Sequence, residues 1–313
     1  MTEGDPEAGP RIEEELPDAL DGERLDRIVS MLDGCSRSAA SQLIEGQSVT
    51  VDGRVVTQRS FRVATGMRVA FTGTVETEVS MLADPDVPFE VLYSDDDIVV
   101  VNKPPGVVVH PGAGRPDKTL ANGLLARFPE IADVGEETRP GIVHRLDADT
   151  SGLLVVARSA VAYDVLVEAM SAHLVERVYA ALVDGVVEDD RGVVDAPIGR
   201  ASKQRTKMAV TNDGRWARTH YDVVERNHRN HVTWLRCQLE TGRTHQIRVH
   251  LAAIGHPVLG DTVYGPRTGS PHIDRVALHA HRLGLRHPVT GEPLEFEAPV
   301  PDDLATARAS LFS

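Results

Sequence analysis

The sequence predicts an α+β chain in two parts: a large domain on a central mixed, mostly antiparallel sheet, preceded by a small N-terminal α+β domain. Three observations carry this expectation. Strand-like apolar runs outnumber helical stretches and do not alternate with them regularly, which argues against a doubly wound parallel sheet. A helix, helix, hairpin pattern is packed into residues 24–74. An acidic, Pro-containing stretch, Val75–Pro88, separates that pattern from the rest and reads as a linker. A length of 313 residues suits two domains, and 41% hydrophobic residues suffice for a core.

In chain order, residues 1–11 form an acidic tail expected to be disordered, and 12–74 form the small domain. Leu25, Ile28, Val29 and Leu32 share one helical face within Arg24–Leu32. Ser36 is placed to cap a second helix, Arg37–Glu45, with Ala40, Leu43 and Ile44 on its inner face. Ser48–Val51 and Arg54–Val56 flank an Asp52-Gly53 turn and read as a hairpin, with Val63 and Met67–Phe71 closing the sheet. The large domain is expected over 89–313. Its predicted strands are Phe89–Tyr93, Ile98–Asn102, Leu153–Ala157, Arg177–Val183, Ala217–Val224 and Val232–Leu239, with a hairpin of Leu283–Arg286 and Leu294–Phe296. Its predicted helices are Thr119–Phe128, Ser159–Ala172 and Thr244–Ile254, the last with Ile247, His250, Leu251 and Ile254 on one face.

No apolar run approaches the roughly 20 residues that cross a bilayer, so no membrane partner is expected. Met1–Pro10 is acidic, without the basic start and apolar middle of a signal peptide. Cys35 and Cys237 match no ligand spacing and read as reduced, buried thiols. A cytoplasmic location is the expectation.

The formal net charge of −14 argues against a nucleic-acid partner, but its distribution does not. Residues 1–23 hold nine acids and one base, residues 24–71 seven arginines and four acids, and residues 200–250 eleven bases and four acids. A phosphate responds to the field within a Debye length of about 8–10 Å, not to the whole-chain sum. Charge alone leaves RNA binding open, since many globular surfaces carry such blocks.

The most informative stretch runs from Gly141 to Ala157. A polar loop holding His144, Arg145, Asp147, Asp149, Thr150 and Ser151 leads into an apolar strand. Loops mounted on a rigid sheet often carry chemistry, but by spacing alone Asp147 is equally a cap or turn residue. Two other patterns fail. Gly112–Thr119 approaches a phosphate loop, but Asp117 stands where the second glycine is needed and its carboxylate would repel phosphate. The thirteen histidines include no HExxH pair, and His245 and His250 are five apart.

His144-Arg-Leu-Asp147 followed by Thr150-Ser-Gly-Leu153 resembles the signature of the RluA-type RNA pseudouridine synthases. Val101-Asn-Lys-Pro-Pro-Gly106 with His110-Pro111 resembles that family's opening motif, and Arg177–Gly185 its tyrosine strand. Glu240–Leu251 resembles its arginine helix, and Leu278-His-Ala280 with His287-Pro288 its closing segment. Order and spacing agree over most of residues 89 to 300. The small domain resembles the RNA-binding domain of ribosomal protein S-four.

The resemblance implies an enzyme that isomerises uridine to pseudouridine. Uracil must leave ribose through nitrogen, turn, and rejoin through carbon five. A carboxylate must add to the anomeric carbon or take the neighbouring ribose proton, and a base must remove the surplus proton on carbon five. A close arginine favours the ionised carboxylate. The resemblance puts Asp147, Tyr179 and Arg248 in these three roles, Tyr179 also being able to stack on the base. Without it, Tyr179 is an ordinary core aromatic and Arg248 a surface cation in a weak ion pair. Arg145, otherwise a plain surface cation, is implied to fill the stack that a flipped uridine leaves. Leu278 packs under the base or belongs to the core. Arg243 and His245, at the start of their helix, are expected at phosphate, and His144 at the substrate. No metal or cofactor is expected, since no redox step or external nucleophile is involved. The implied partner is large-subunit (23S) ribosomal RNA, with transfer RNA as the competing substrate, and the chain is expected to act as a monomer. From other classes stand a non-catalytic ribosome-assembly factor, which need not keep Asp147, Tyr179 and Arg248 together, and an aspartate-nucleophile hydrolase, for which no water-activating base is evident.

Overall fold

The computed structural model describes residues 11–35, 37–72, 81–112, 115–136, 138–202, 204 and 207–313. The chain divides after Ser80 into two compact units. Residues 1–10, Ser36 with its expected cap, and 73–80 lie outside the described residues.

The first unit contains β1 (Arg11–Glu15), α1 (Leu25–Asp33), α2 (Arg37–Glu45), β2 (Val49–Val51), β3 (Arg54–Val55) and β4 (Arg68–Thr72). Its sheet runs β1-β4-β2-β3, all antiparallel. Leu25, Ile28 and Val29 of α1 meet Ala40 and Ile44 of α2 over Val49, Val69 and Phe71, so the apolar helical face read from spacing is the one that is buried. Strand β1 is an addition. Arg11, expected in a tail, and Glu13–Glu15 form an exposed edge whose backbone pairs with Arg68–Thr72, with only Ile12 turned toward the core.

The second unit contains β5 (Glu90–Ser94), β6 (Ile98–Lys103), α3 (Leu120–Arg127), β7 (Gly135–Glu136), β8 (Arg139–Pro140), β9 (Ser151–Ala157), α4 (Ala160–Ser171), β10 (Glu176–Asp184), β11 (Arg191–Asp195), β12 (Ile198–Arg200), β13 (Met208–Val210), β14 (Arg218–Asn227), β15 (Val232–Leu239), α5 (Gln246–Ala253), β16 (Leu278–Arg286), β17 (Pro293–Glu297) and α6 (Asp302–Leu311). The main sheet runs β11-β14-β15-β10-β16-β9-β6-β5, with β17 on the far end of β16. Among its described pairs β16–β9 is parallel and the others antiparallel, which is the mixed, mostly antiparallel sheet expected.

Both faces of this sheet are covered. On β6 and β9, Val99, Val101, Leu154 and Val156 enter the core shared with α3, α5 and α6, while Ile98, Val100, Leu153 and Val155 enter a second core beneath α4. Successive strand residues point to opposite faces, so a doubly covered strand must be apolar throughout.

Half of the expected linker belongs to this unit. Val87 is buried in the core, Asp84 donates its N–H to the carbonyl of Asn122, and Asn122 donates to the carbonyl of Leu82. Asn122 can do this because it also closes the capping box with Thr119 at the start of α3. Helix α5 is shorter than expected. It starts at Gln246, after His245 at φ 57°, and ends at Ala253, so Ile254 lies beyond it and 38% exposed rather than on the buried face.

Candidate active site

Strand neighbours gather the site. Ser151 at the start of β9 lies beside His279 near the start of β16, and Tyr179 of β10 lies opposite Ala280 of the same strand. The loop preceding β9, the tyrosine of β10 and Leu278 at the head of β16 therefore converge at one place, and α5 closes it. A cavity of about 510 Å³ opens there. Asp147, Tyr179, Arg248, Arg145, His144, Leu278, Arg243 and His245 all line it.

The loop carrying Asp147 is pinned by its own backbone. The carbonyl of Ala148 accepts from Lys103 Nζ and from the N–H of Gly106, both at 2.9 Å. Lys103 is fully buried and also donates to the carbonyls of Pro104 and Val107. Burial pushes its ammonium down to about 7 against the attraction of Asp149 and Asp147. Arg275 donates to the carbonyls of Asp149, Val276 and Leu278, joining the loop to the head of β16.

Asp147 Oδ2 accepts from Arg248 Nη1 at 3.0 Å. Arg248 is 6% exposed and turns its other edge to Asp261, with Nε to Oδ2 at 2.7 Å and Nη2 to Oδ1 at 3.0 Å. Burial alone would raise the Asp261 carboxyl, but the arginine and the N–H groups of Tyr264 and Val263 hold it below the usual range. The guanidinium also lies over the ring of Tyr264, 5.2 Å from its centroid. Arg248 is thus a buried, oriented cation and not the weakly paired surface residue its position also allowed.

Asp147 Oδ1 faces His245, whose Nε2 is 3.9 Å away. His245 Nδ1 is 2.8 Å from the Tyr264 hydroxyl, which accepts from the N–H of Met208. Burial lowers the His245 ring below its ordinary value against the pull of Asp147, which favours neutral imidazole. The ring belongs to the carboxylate's surroundings rather than standing apart at the helix start. Arg243, half-exposed, donates from Nε to the carbonyl of Trp216.

Tyr179 is 6% exposed, and burial pushes its phenol up to about 12. Leu278 is buried in the core and also lines the cavity, so its two expected roles coincide. Arg145 is exposed, with Nη1 3.5 Å from His110 Nε2. His144 differs from expectation. Its Nε2 accepts the N–H of Val155 at 3.0 Å, and burial pushes the ring down to about 3. Its acceptor nitrogen fastens the loop to β9 and is not free for a substrate.

Sequence reasoning missed Lys103, Asp261, Tyr264 and Arg177 as parts of this site. The motif around Lys103 was recognised without a role for its ammonium. Asp261, in the turn Gly260-Asp-Thr-Val-Tyr-Gly265, accepts the N–H groups two and three residues on, a common turn habit of aspartate that hid its other function. Among the described residues, the cavity lining holds six arginines (139, 145, 177, 215, 243, 248) and one carboxylate, Asp147. A chain of net charge −14 therefore presents a cationic cleft, which suits a phosphate backbone.

One group with metal-ligand chemistry occurs among the described residues: Asp95, Asp97 and His287. His287 Nδ1 accepts the N–H groups of Val289 and Thr290, so the ring proton sits on Nε2, which meets Asp95 at 2.9 Å. That nitrogen is a donor, not a ligand, and the trio is a hydrogen-bonded corner tying β5 to the β16–β17 turn.

The RNA pseudouridylate synthase family model matches residues 97–253, and the S4 domain model matches residues 23–69. The chain is 44% identical over 284 residues to the Uncharacterized RNA pseudouridine synthase YlyB of Bacillus subtilis, covering 90% of this chain and 92% of that protein. It is 46% identical over 310 residues to the Ribosomal large subunit pseudouridine synthase D of Vibrio cholerae, covering 95% and 93%. Among solved structures, human RNA Pseudouridylate Synthase Domain Containing 1 matches with a TM-score of 0.56 and 30% identity, over 70% of this chain and 86% of that one. Human RNA Pseudouridylate Synthase Domain Containing 4 matches with a TM-score of 0.57 and 25% identity, over 71% and 93%. This chain belongs to the RNA pseudouridylate synthase family, an isomerase whose catalytic domain is preceded by an S4 domain.

Proposed function

We propose that this chain converts uridine to pseudouridine in large-subunit (23S) ribosomal RNA, with Asp147 as the catalytic carboxylate. The observation that carries the reading is the half-engaged state of Asp147 at a cationic cavity. Arg248 holds Oδ2, while among the described residues Oδ1 has no ion-pair partner nearer than the His245 ring at 3.9 Å. The free oxygen is left to add to the anomeric carbon or to take the neighbouring ribose proton, while the arginine fixes the orientation of the group. The bond from ribose to N1 breaks; as the bond to carbon five forms, the carboxylate leaves the anomeric carbon or the ribose proton returns from it, and the carbon-five proton is exchanged for one on N1. Tyr179 is the residue for that last transfer. With its phenol up to about 12 it is neutral near pH 7, so it must pass on its own proton as it accepts another. Stacking on uracil needs no ionisation and is its second role. Leu278 supports the base from below, Arg145 takes the flipped nucleotide's place, Arg243 meets backbone phosphate, and His245 offers a neutral ring to the nucleotide. The ribosomal target is supported by the relatives called Ribosomal large subunit pseudouridine synthase D. The reaction is assigned to the cytoplasm, where that RNA is made in bacteria, and to a monomer.

The test is pseudouridine mapping on total RNA from cells lacking the protein, complemented with wild type or Asp147→Asn. A large-subunit site should vanish and return with wild type alone, the variant being slower by on the order of 10²–10⁴-fold in vitro. Restoration by both proteins removes Asp147 from the chemistry. Loss confined to transfer RNA moves the substrate there.

A further inference from the structure

Among the described residues, Arg177 is a charged group without a countercharge. It is 8% exposed, and one recorded hydrogen bond involves it, from Nη2 to the carbonyl of Glu240 at 3.1 Å. Its Nε is buried with no partner. The nearby acid is taken, since the Glu240 carboxylate is held by His220 and Arg218. A buried cation in this condition is costly, and a neutral ligand does not offset it. Arg177 sits two residues from Tyr179 on β10, so both side chains project to the same face, and both line the cavity. Gly242 clears its way. Its φ is not in the left-handed region, so the backbone does not demand glycine, but a Cβ there would stand 2.9 Å from Arg177 Nη1. Two further cations share this wall, Arg243 and Arg215. Burial and the neighbouring Arg215 both disfavour the charge on Arg243.

We propose that Arg177, together with Arg243 and Arg215, seats one backbone phosphate of the RNA next to the nucleotide held at Asp147. This rests on the reading that RNA enters the cavity, and it adds which wall grips the backbone. Arg215 disfavours the charge on Arg243, and the buried Arg177 has no countercharge among the described residues; an anion seated on this wall relieves both. The anion that every nucleotide carries is its phosphodiester, and a guanidinium fork matches its oxygens. Arg177 supplies the desolvated charge, and the more exposed Arg243 and Arg215 close over the phosphate from the rim.

The test uses the full chain, with unmodified transcribed large-subunit ribosomal RNA as probe and binding measured over a salt series. Arg177→Met should weaken binding about tenfold at low salt and flatten the slope of log affinity against log salt by about 1. Removing an uncompensated buried charge should leave its melting temperature equal to wild type or higher. Gly242→Ala keeps the charge but crowds Nη1, and should raise KM more than it lowers kcat. An unchanged salt slope in Arg177→Met overturns the phosphate seat. So does a melting temperature well below wild type, which would make Arg177 a structural cation. If wild type binds but never modifies this transcript, the ribosomal reading fails separately. The same slope comparison is then made on total RNA from cells lacking the protein, because the phosphate is common to both.

Discussion

Arg248 gives Asp147 one hydrogen bond and Asp261 two, from Nη1 at 3.0 Å and from Nε and Nη2 at 2.7 and 3.0 Å. The arginine is therefore held mainly by Asp261, which the proposed reaction does not use, and shared with Asp147, which it does. Removing one partner of such a buried pair strands the other and costs about 3–5 kcal/mol. Arg248→Met should destabilise by that amount, and Asp261→Leu in the same chain should recover part of it. Activity should not recover, because Asp147 still lacks its cation. Thermal melts and single-turnover rates on the singles and the double check this. A double variant that loses the full sum of the two stabilities refutes the coupling.

Lys103 connects loop position to pH. Its ordinary value is 10.5 and burial brings it to about 7, so between these values the unfolded chain binds more protons than the folded one. Stability contributed by this group therefore rises with pH from about 7 upward, by at most about 1.4 kcal/mol per pH unit. Above about 9 the thiols of Cys35 and Cys237, pushed up to about 11 and about 12, pull the other way. Urea unfolding across that window should show the rise in wild type and a flat line in Lys103→Met. Equal slopes in both would mean the lysine stays charged throughout. The variant also takes this donor from the carbonyls of Pro104 and Val107 and leaves that of Ala148 with the N–H of Gly106 alone, so its kcat should fall as the Asp147 loop loosens.

The loop and strand from His144 to Ala157 were legible because one motif and one apolar run coincide there, and α1 was legible from spacing alone. What stayed hidden is non-local. Asp147 and Arg248 are 101 residues apart, so no periodicity joins them, and only the motif resemblance brought them together. The bond between Lys103 and the carbonyl of Ala148 is a backbone contact that side-chain identities do not announce. Strand β1 was missed because three successive glutamates mask its single inward residue, Ile12. Helix α6 went unread although Leu304, Ala307 and Leu311 carry its buried face.

Two histidines contribute to the acid limit. His144 and His279 are pushed by burial from an ordinary 6.5 to about 3 and about 4. Both stay neutral in the fold while the unfolded chain protonates them, so stability is present above about 6.5 and is lost as pH falls toward those lower values. His144→Gln keeps an acceptor for the N–H of Val155 and cannot charge. Its loss of stability between about pH 6.5 and 4 should be shallower than wild type by up to about 1.4 kcal/mol per pH unit. Buried Trp234 reports the transition by fluorescence. Identical acid slopes in the two proteins would place the sensitivity elsewhere.

Gly152 is the point where the Asp147 loop becomes sheet, and it tolerates no side chain. Its φ of 115° is open mainly to glycine, and a Cβ built on it would overlap the backbone of Ala280 on the parallel strand β16. Neither clash can relax by turning a side chain, because both partners are main chain and the strands are hydrogen-bonded through this register. Gly152→Ala should cost on the order of 4 kcal/mol or abolish soluble expression, and any folded fraction should be inactive because the β9–β16 contact aligns the Asp147 loop with Leu278. Gly291→Ala is the control. It also has a positive φ, 73°, but nothing lies within 4 Å of the new Cβ, so only the local strain of about 1–2 kcal/mol applies. Thermal melts of the two variants separate the cases. If Gly152→Ala melts no lower than Gly291→Ala, the close approach of β9 to β16 is not what requires glycine there.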